Sequence, residues 1–264
     1  MQHGKDGYDS AGDGGIDGHW VKFIDWNGNQ DRLADGPKLA ADSSDATKIT
    51  YFTPRVGGLQ AGVSFTPDTN AKGQKLSTDT TGGFENTWGF GVNFVKKVGG
   101  ASVAVSAVGH VGNAEDKKTA KAANLTEVID GKATDITFEG REDLHAWAVG
   151  ASVGYGAWSV GGGYSDSGDG GEATVGGDGD ATSWHVGGAY TQGPVSIGLS
   201  YLHAEVDVTG GSDEGDAIVG AVNYTVGGGA RVFVEVSWFD TDDANDSTKD
   251  YEGVGFVLGS AVKF

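Results

Sequence analysis

Bulky apolar side chains recur at every second position through most of this chain. Trp88, Phe90, Val92 and Phe94 are separated by Gly89, Gly91 and Asn93. Trp147, Val149, Ala151, Val153 and Tyr155 alternate with Ala146, Ala148, Gly150, Ser152 and Gly154. The same reading covers residues 101–107, 158–164, 184–190, 195–201, 218–224, 232–238 and 256–264. It also covers 59–65, preceded by a short segment at 49–53. Side chains on a strand point alternately to opposite faces, so each segment predicts a two-faced strand. Eleven strands are predicted, and no convincing amphipathic helix.

The second face sets the class. In a soluble sandwich the bulky face meets a core and the other carries Lys, Glu and Thr. Here the second face is mostly Gly, Ala and Ser. The bulky face ends in aromatics. Trp88, Trp147, Trp184, Tyr201 and Trp238 lie at one end; Phe94, Tyr155, Trp158, Tyr190, Tyr224 and Phe264 lie at the other. Such rows mark lipid–water interfaces. Six to eight residues between them, at ~3.3 Å each and ~40° tilt, span roughly 15–20 Å, which ring size brings near the ~25 Å apolar band of outer-membrane barrels. The expected fold is all-β, a transmembrane antiparallel β-barrel.

The connections alternate too. Short turns are expected near 54–58, 96–100, 156–157, 192–194 and 227–229. Long loops are expected near 66–85, 111–143, 166–180, 205–216 and 240–252. Of 37 acidic residues, nine fall in residues 1–46, one (Glu235) in a strand, and the rest in the long loops and their edges. The short turns are flanked instead by Arg55, Lys96, Lys97 and Arg231.

Composition narrows the function. The 264 residues carry a formal net charge of −19, which argues against a nucleic-acid partner. There is no cysteine, hence no disulfide, thiolate metal site or thiol nucleophile. Glycine numbers 48 without a three-residue period, which excludes collagen. No run of about 18 apolar residues could form a spanning helix. The polar, acidic stretch from Met1 to Gly18 has no apolar core of a secretion signal.

Eleven strands cannot close as a usual bacterial barrel, whose strand number is even. Open edges in lipid would leave backbone groups unpaired, at several kcal/mol each. One repair makes His19–Trp26 a further strand of a closed twelve-stranded barrel. The other treats the chain as the back part of a larger one. The run KITYFTPRVGGLQAGVSFTPD, Lys48 to Asp68, and the final strand VGFVLGSAVKF resemble the Gram-negative general-diffusion porins, particularly those of alphaproteobacterial type. The resemblance implies a sixteen-stranded barrel that assembles as homotrimers in the outer membrane. It implies passive diffusion of small hydrophilic solutes and ions, with no catalytic residues and no cofactor. The eleven strands, residues 47–264, would be the last eleven, and the chain an N-terminally incomplete porin. Residues 1–46 would match the inward-folded constriction loop, with Gly18 to Asn29 as its tip. Phe256, Leu258, Val262 and the terminal Phe264 resemble the signal read by the barrel-assembly machinery.

Candidate pore residues follow. Asp17, Asp25, Asp31 and Asp35 would line the constriction, with Lys22 and Arg32 as counter-charges. A low-dielectric wall focuses such a field and favours cations. Arg231 and Glu235 share the second face of one strand and are expected to brace each other; His185 and Asn93 share that face by parity. Acidic loops could hold Ca²⁺ through Asp166, Asp169, Asp178 and Asp180, or through Asp240, Asp242, Asp243 and Asp246. A secreted Gly/Asp-rich β protein binding Ca²⁺ or surfaces is the alternative. His145 and His203 point to the bulky face, where a lipid hydrolase would carry its histidine; no Ser-containing elbow accompanies them.

Overall fold

A computed structural model describes residues 46–71, 83–115, 117–120, 136–168, 170, 179–247 and 250–262. Eleven strands form one antiparallel sheet in which each strand pairs with its sequence neighbour in that sheet. They are β1 (Ile49–Phe52), β2 (Leu59–Asp68), β3 (Phe84–Val98), β4 (Ala101–Ala114), β7 (Leu144–Tyr155), β8 (Trp158–Asp166), β9 (Ala181–Gln192), β10 (Val195–Val208), β11 (Gly211–Gly227), β12 (Ala230–Asp242) and β13 (Tyr251–Val262). β5 (Lys117–Ala120) and β6 (Ile136–Glu139) pair as a separate hairpin inside the longest predicted loop. Each of the eleven expected segments is a strand of the large sheet, and no α-helix occurs among the described residues. The sheet is not closed: β1 and β13 are its two edges. The candidate strand His19–Trp26 lies outside the described residues, as does the whole of 1–45.

The turns follow from glycine's access to positive φ. Gly99 and Gly100, at φ +57° and +90°, make the two-residue link between β3 and β4, the mirror-image turn whose twist suits a hairpin. Gly227, Gly228 and Gly229 all have positive φ and close β11 onto β12 beside a register shift. Asn86, at φ +51°, sits in the bulge of β3.

One expected loop is different. Residues 205–216 are not a long excursion; β10 and β11 stay paired to Val208↔Gly211, with only Thr209 and Gly210 between them. Every second position along this hairpin is polar or acidic, so its alternation was hidden by the density of acids. Glu205 stands directly opposite Glu214, a like-charge pair that weakens the tip.

The two faces differ as the alternation requires. The bulky face is exposed: Leu258 is 71% accessible, Phe256 67% and Trp158 67%. The small-residue face is the sheltered one, with Ser237 at 0% and Ser200 at 2%. A water-soluble protein buries its large apolar groups and exposes serine. This sheet does the reverse, which is the arrangement expected where the solvent of the bulky face is hydrocarbon.

Candidate functional site: the two faces of the wall

Aromatics form two rows on the bulky face. In one, Phe65 meets Trp88 with ring centroids 4.8 Å apart, Trp147 meets Tyr164 at 5.2 Å and Trp184 meets Tyr201 at 5.1 Å. In the other, Trp158 meets Tyr190 at 4.7 Å, and Tyr155 lies opposite Trp158. These rings lie at the two ends assigned from sequence, with Phe65 and Tyr164 added. Phe256, Leu258 and Val262 share the bulky face of β13 by parity; Phe264 lies outside the described residues.

Register brings an acidic row to the first girdle. Tyr164, Trp184, His203, Asp216, Asp240 and Glu252 are successive direct partners from β8 to β13. Three carboxylates therefore stand side by side, an arrangement that repels unless donors intervene. The Tyr201 hydroxyl donates to Asp216 Oδ1 at 2.5 Å, and His203 Nδ1 lies 3.0 Å from the same oxygen. The Trp238 indole N–H donates to Glu252 Oε1 at 3.1 Å. Asp240, beyond the Trp238 ring, is held above the usual carboxylate range, first by burial and then by Asp242, Glu252 and Asp216. His203 faces outward as expected, but sequence alone gave no sign that Asp216 would be its partner. His145 faces outward too, with Nδ1 3.3 Å from the Asp143 carbonyl oxygen.

The other face is lined by small residues with a few polar groups. Asn93 and His185 fall in one transverse row: Gln60, Asn93, Ser106, Gly150, Gly163, His185, Leu202, Ala217, Phe239 and Gly253 are consecutive partners from β2 to β13. His185 is buried, and so is His110, a group the sequence reading did not single out. Ser165 and Ser183 hydrogen-bond each other at 2.8 Å across β8 and β9. Glu235 is buried between Ala221 and Val257. Arg231 shares its face, with Phe233 between them; the guanidinium carbon stands 6.0 Å over the Phe233 ring centroid, at the outer limit of a cation–π contact.

Of the other expected site residues, Asp17, Lys22, Asp25, Asp31, Arg32, Asp35, Asp169 and Asp178 lie outside the described residues. Asp166 accepts a hydrogen bond from the Gly168 amide at 3.0 Å, and Asp243 accepts one from Asn245 at 3.0 Å. These carboxylates cap their own turns. Among the described residues no three His, Asp or Glu side chains converge as a metal group.

A family model described as Gram-negative porin matches residues 3–244. An uncharacterized protein of Rickettsia bellii (strain RML369-C) is 26% identical over 255 residues, covering 83% of this chain and 57% of that protein. High-pH Pseudomonas putida OprB superposes with a TM-score of 0.53 at 13% identity, over 81% of this chain and 58% of that one. An anion-selective porin from Comamonas acidovorans gives 0.51 at 16%, over 81% and 56%. The outer membrane protein OmpT of Vibrio cholerae, with its loop L8 deleted, gives 0.51 at 18%, over 81% and 61%. At these identities the structural likeness is one of fold. The chain spans 57% of the length of its curated relative.

Proposed function

The chain belongs to the Gram-negative porin family, and from that premise we propose that it forms the greater part of an outer-membrane pore passing small hydrophilic solutes and ions by passive diffusion, with a preference for cations. Such a wall lowers the barrier for a polar solute by offering water where the bilayer offers hydrocarbon, and selects by width and field. No nucleophile or proton relay is needed. The observation that carries the reading is the inversion of the two faces: exposed Leu258, Phe256 and Trp158 outside, sheltered serines and glycines within.

The cation preference rests on charge. The chain carries −19 overall. Its acids crowd the aromatic end at which Asp216, Asp240 and Glu252 lie, while Arg55, Lys96 and Lys97 flank the opposite turns. A field of this sense concentrates cations at one mouth. Asp17, Asp25, Asp31 and Asp35, with Lys22 and Arg32, would extend it if the N-terminal segment lies in the lumen. Outer-membrane lipid is the expected environment, the barrel-assembly machinery the expected partner in insertion, and a homotrimer the expected assembly. Calcium at the acidic loops belongs to the same proposal as a non-specific attraction.

The test is a planar bilayer holding the purified protein under a salt gradient. Ohmic channels with a reversal potential of cation sign are expected. An anion-sign potential would refute the preference, and the absence of any conductance from correctly inserted protein would refute the pore.

A further inference from the structure

Rings on the small-residue face lie opposite glycines. Phe233 pairs with Gly259, Phe239 with Gly253, and His110 with Gly89. A Cβ built on Gly259 would meet the tip carbon of Phe233, Cζ, at 2.2 Å, with Cε1 and Cε2 at 2.8 Å. One on Gly253 would meet Phe239 Cζ at 2.6 Å, and one on Gly89 would meet the His110 ring at 2.9 Å. At Gly259 and Gly253 the ring tip occupies the space that any other residue would fill with its own side chain, so the ring folds along the wall; at Gly89 the Ser64 hydroxyl, at 2.6 Å, lies nearer than the ring. Distances under 3.0 Å to a Cβ are not tolerated, so a methyl group at Gly259 must displace the ring.

The Phe233 case reaches a charge. Its ring is buried, and the Arg231 guanidinium carbon lies 6.0 Å over it. Arg231 and Glu235 flank it on the same face of β12. We propose that Gly259 is a positioning residue for the charge filter of the pore: the space it leaves holds Phe233 against β13, and the ring in turn fixes where the Arg231 guanidinium stands relative to the lumen. The inference rests on the pore reading above. It assigns to a strand glycine a role in ion selection that its missing side chain would otherwise conceal. The guanidinium stands over the ring at the outer limit of a cation–π contact, so displacing the ring changes the surface against which the charge rests.

The experiment uses the full chain in planar bilayers, with cation-to-anion permeability ratios taken from reversal potentials and insertion checked by heat-modifiable migration. Gly259→Ala is expected to change the ratio by about twofold or more, since a displaced wall charge alters the local field. The change should vanish in an Arg231→Gln background and in a Phe233→Leu background, where the ring tip is gone. Gly188→Ala makes the same chemical change on the bulky face, where the nearest atom to the new Cβ is the Ser159 carbonyl oxygen at 3.4 Å; it should leave the ratio as in the parent. A conducting Gly259→Ala variant with the parent ratio overturns the inference, as does a shift that persists without Arg231. If Gly259→Ala fails to insert, the Gly259→Ala/Phe233→Leu double variant must insert, and Phe233→Leu alone must move the ratio; failure of either overturns the inference. A parent protein without channels refutes the pore reading instead.

Discussion

Ala151 sits on the bulky face of β7, four residues from Trp147 in one aromatic row and four from Tyr155 in the other. Its neighbour Ser152 faces the other way. The strand between the two rings measures about 26 Å at ~3.3 Å per residue, or about 20 Å of depth at ~40° tilt, so Ala151 lies near the middle of the apolar belt. Replacing it with arginine there should cost about 2–4 kcal/mol, the range for a cation at the midplane of a barrel's lipid face. At about 3 kcal/mol the folding equilibrium falls by roughly two decades. Ser152→Arg places the same side chain one residue along, on the sheltered face, and should cost less than about 1 kcal/mol if that face meets water. The comparison is sharp because Ala151 is exposed. Were its surroundings water, an exposed alanine-to-arginine change would stay within about 0.5 kcal/mol. Urea titration of protein refolded into phospholipid vesicles, followed by tryptophan emission and heat-modifiable migration, gives both values by linear extrapolation. Equal, small costs for the two variants would show that hydrocarbon does not solvate the bulky face, and the pore would go with it.

Three further outcomes are expected. Tyr201→Phe removes the hydroxyl that donates to Asp216 and leaves a half-buried carboxylate with fewer donors; a loss of about 1–3 kcal/mol is expected in the same titration, and an unchanged urea midpoint would show the bond to be inconsequential. Asp240 binds its proton more tightly when folded than its ordinary value of 3.8 implies. Its stabilising contribution is therefore complete below that pH and fades as pH rises through the raised folded value, so Asp240→Asn should flatten this part of the pH–stability curve; a curve of unchanged shape would rule Asp240 out as its source. Gly58 has φ +104° and would bring a Cβ to 2.9 Å from the Val95 carbonyl oxygen; Gly58→Ala should cost about 1–3 kcal/mol, and a variant as stable as the parent in the urea titration would refute that strain.

Much of the fold was legible because a strand's two faces repeat every second residue, whatever the strand pairs with. Trp147 through Tyr155 declare a strand, its bulky side and its aromatic ends without reference to any neighbour. The same rule put Asn93, His185, Arg231 and Glu235 on the small-residue face and His203 on the bulky one. It failed where composition masked the alternation: residues 205–216 read as a loop because acids (Glu205, Asp207, Glu214 and Asp216) take the positions of the bulky face, yet β10 and β11 stay paired through them. The β5–β6 hairpin was missed as well: its two four-residue strands stand apart from the large sheet inside the expected 111–143 loop, whereas β1, equally short, was read beside β2.

What the sequence could not supply is which residues lie opposite one another. Parity places Asp216, Asp240 and Glu252 on one face; only register sets them side by side under Tyr201, His203 and Trp238. Gly259 reads as one more small residue until pairing puts Phe233 across from it. Sliding a strand by two residues leaves every side chain on its own face and keeps the hydrophobic pattern intact, while changing all of its partners. Alternation therefore fixed the faces and the eleven strands of the sheet, and the hydrogen-bonded turns and packing of the tertiary structure chose the neighbours from which its electrostatics and its ring–glycine contacts are built.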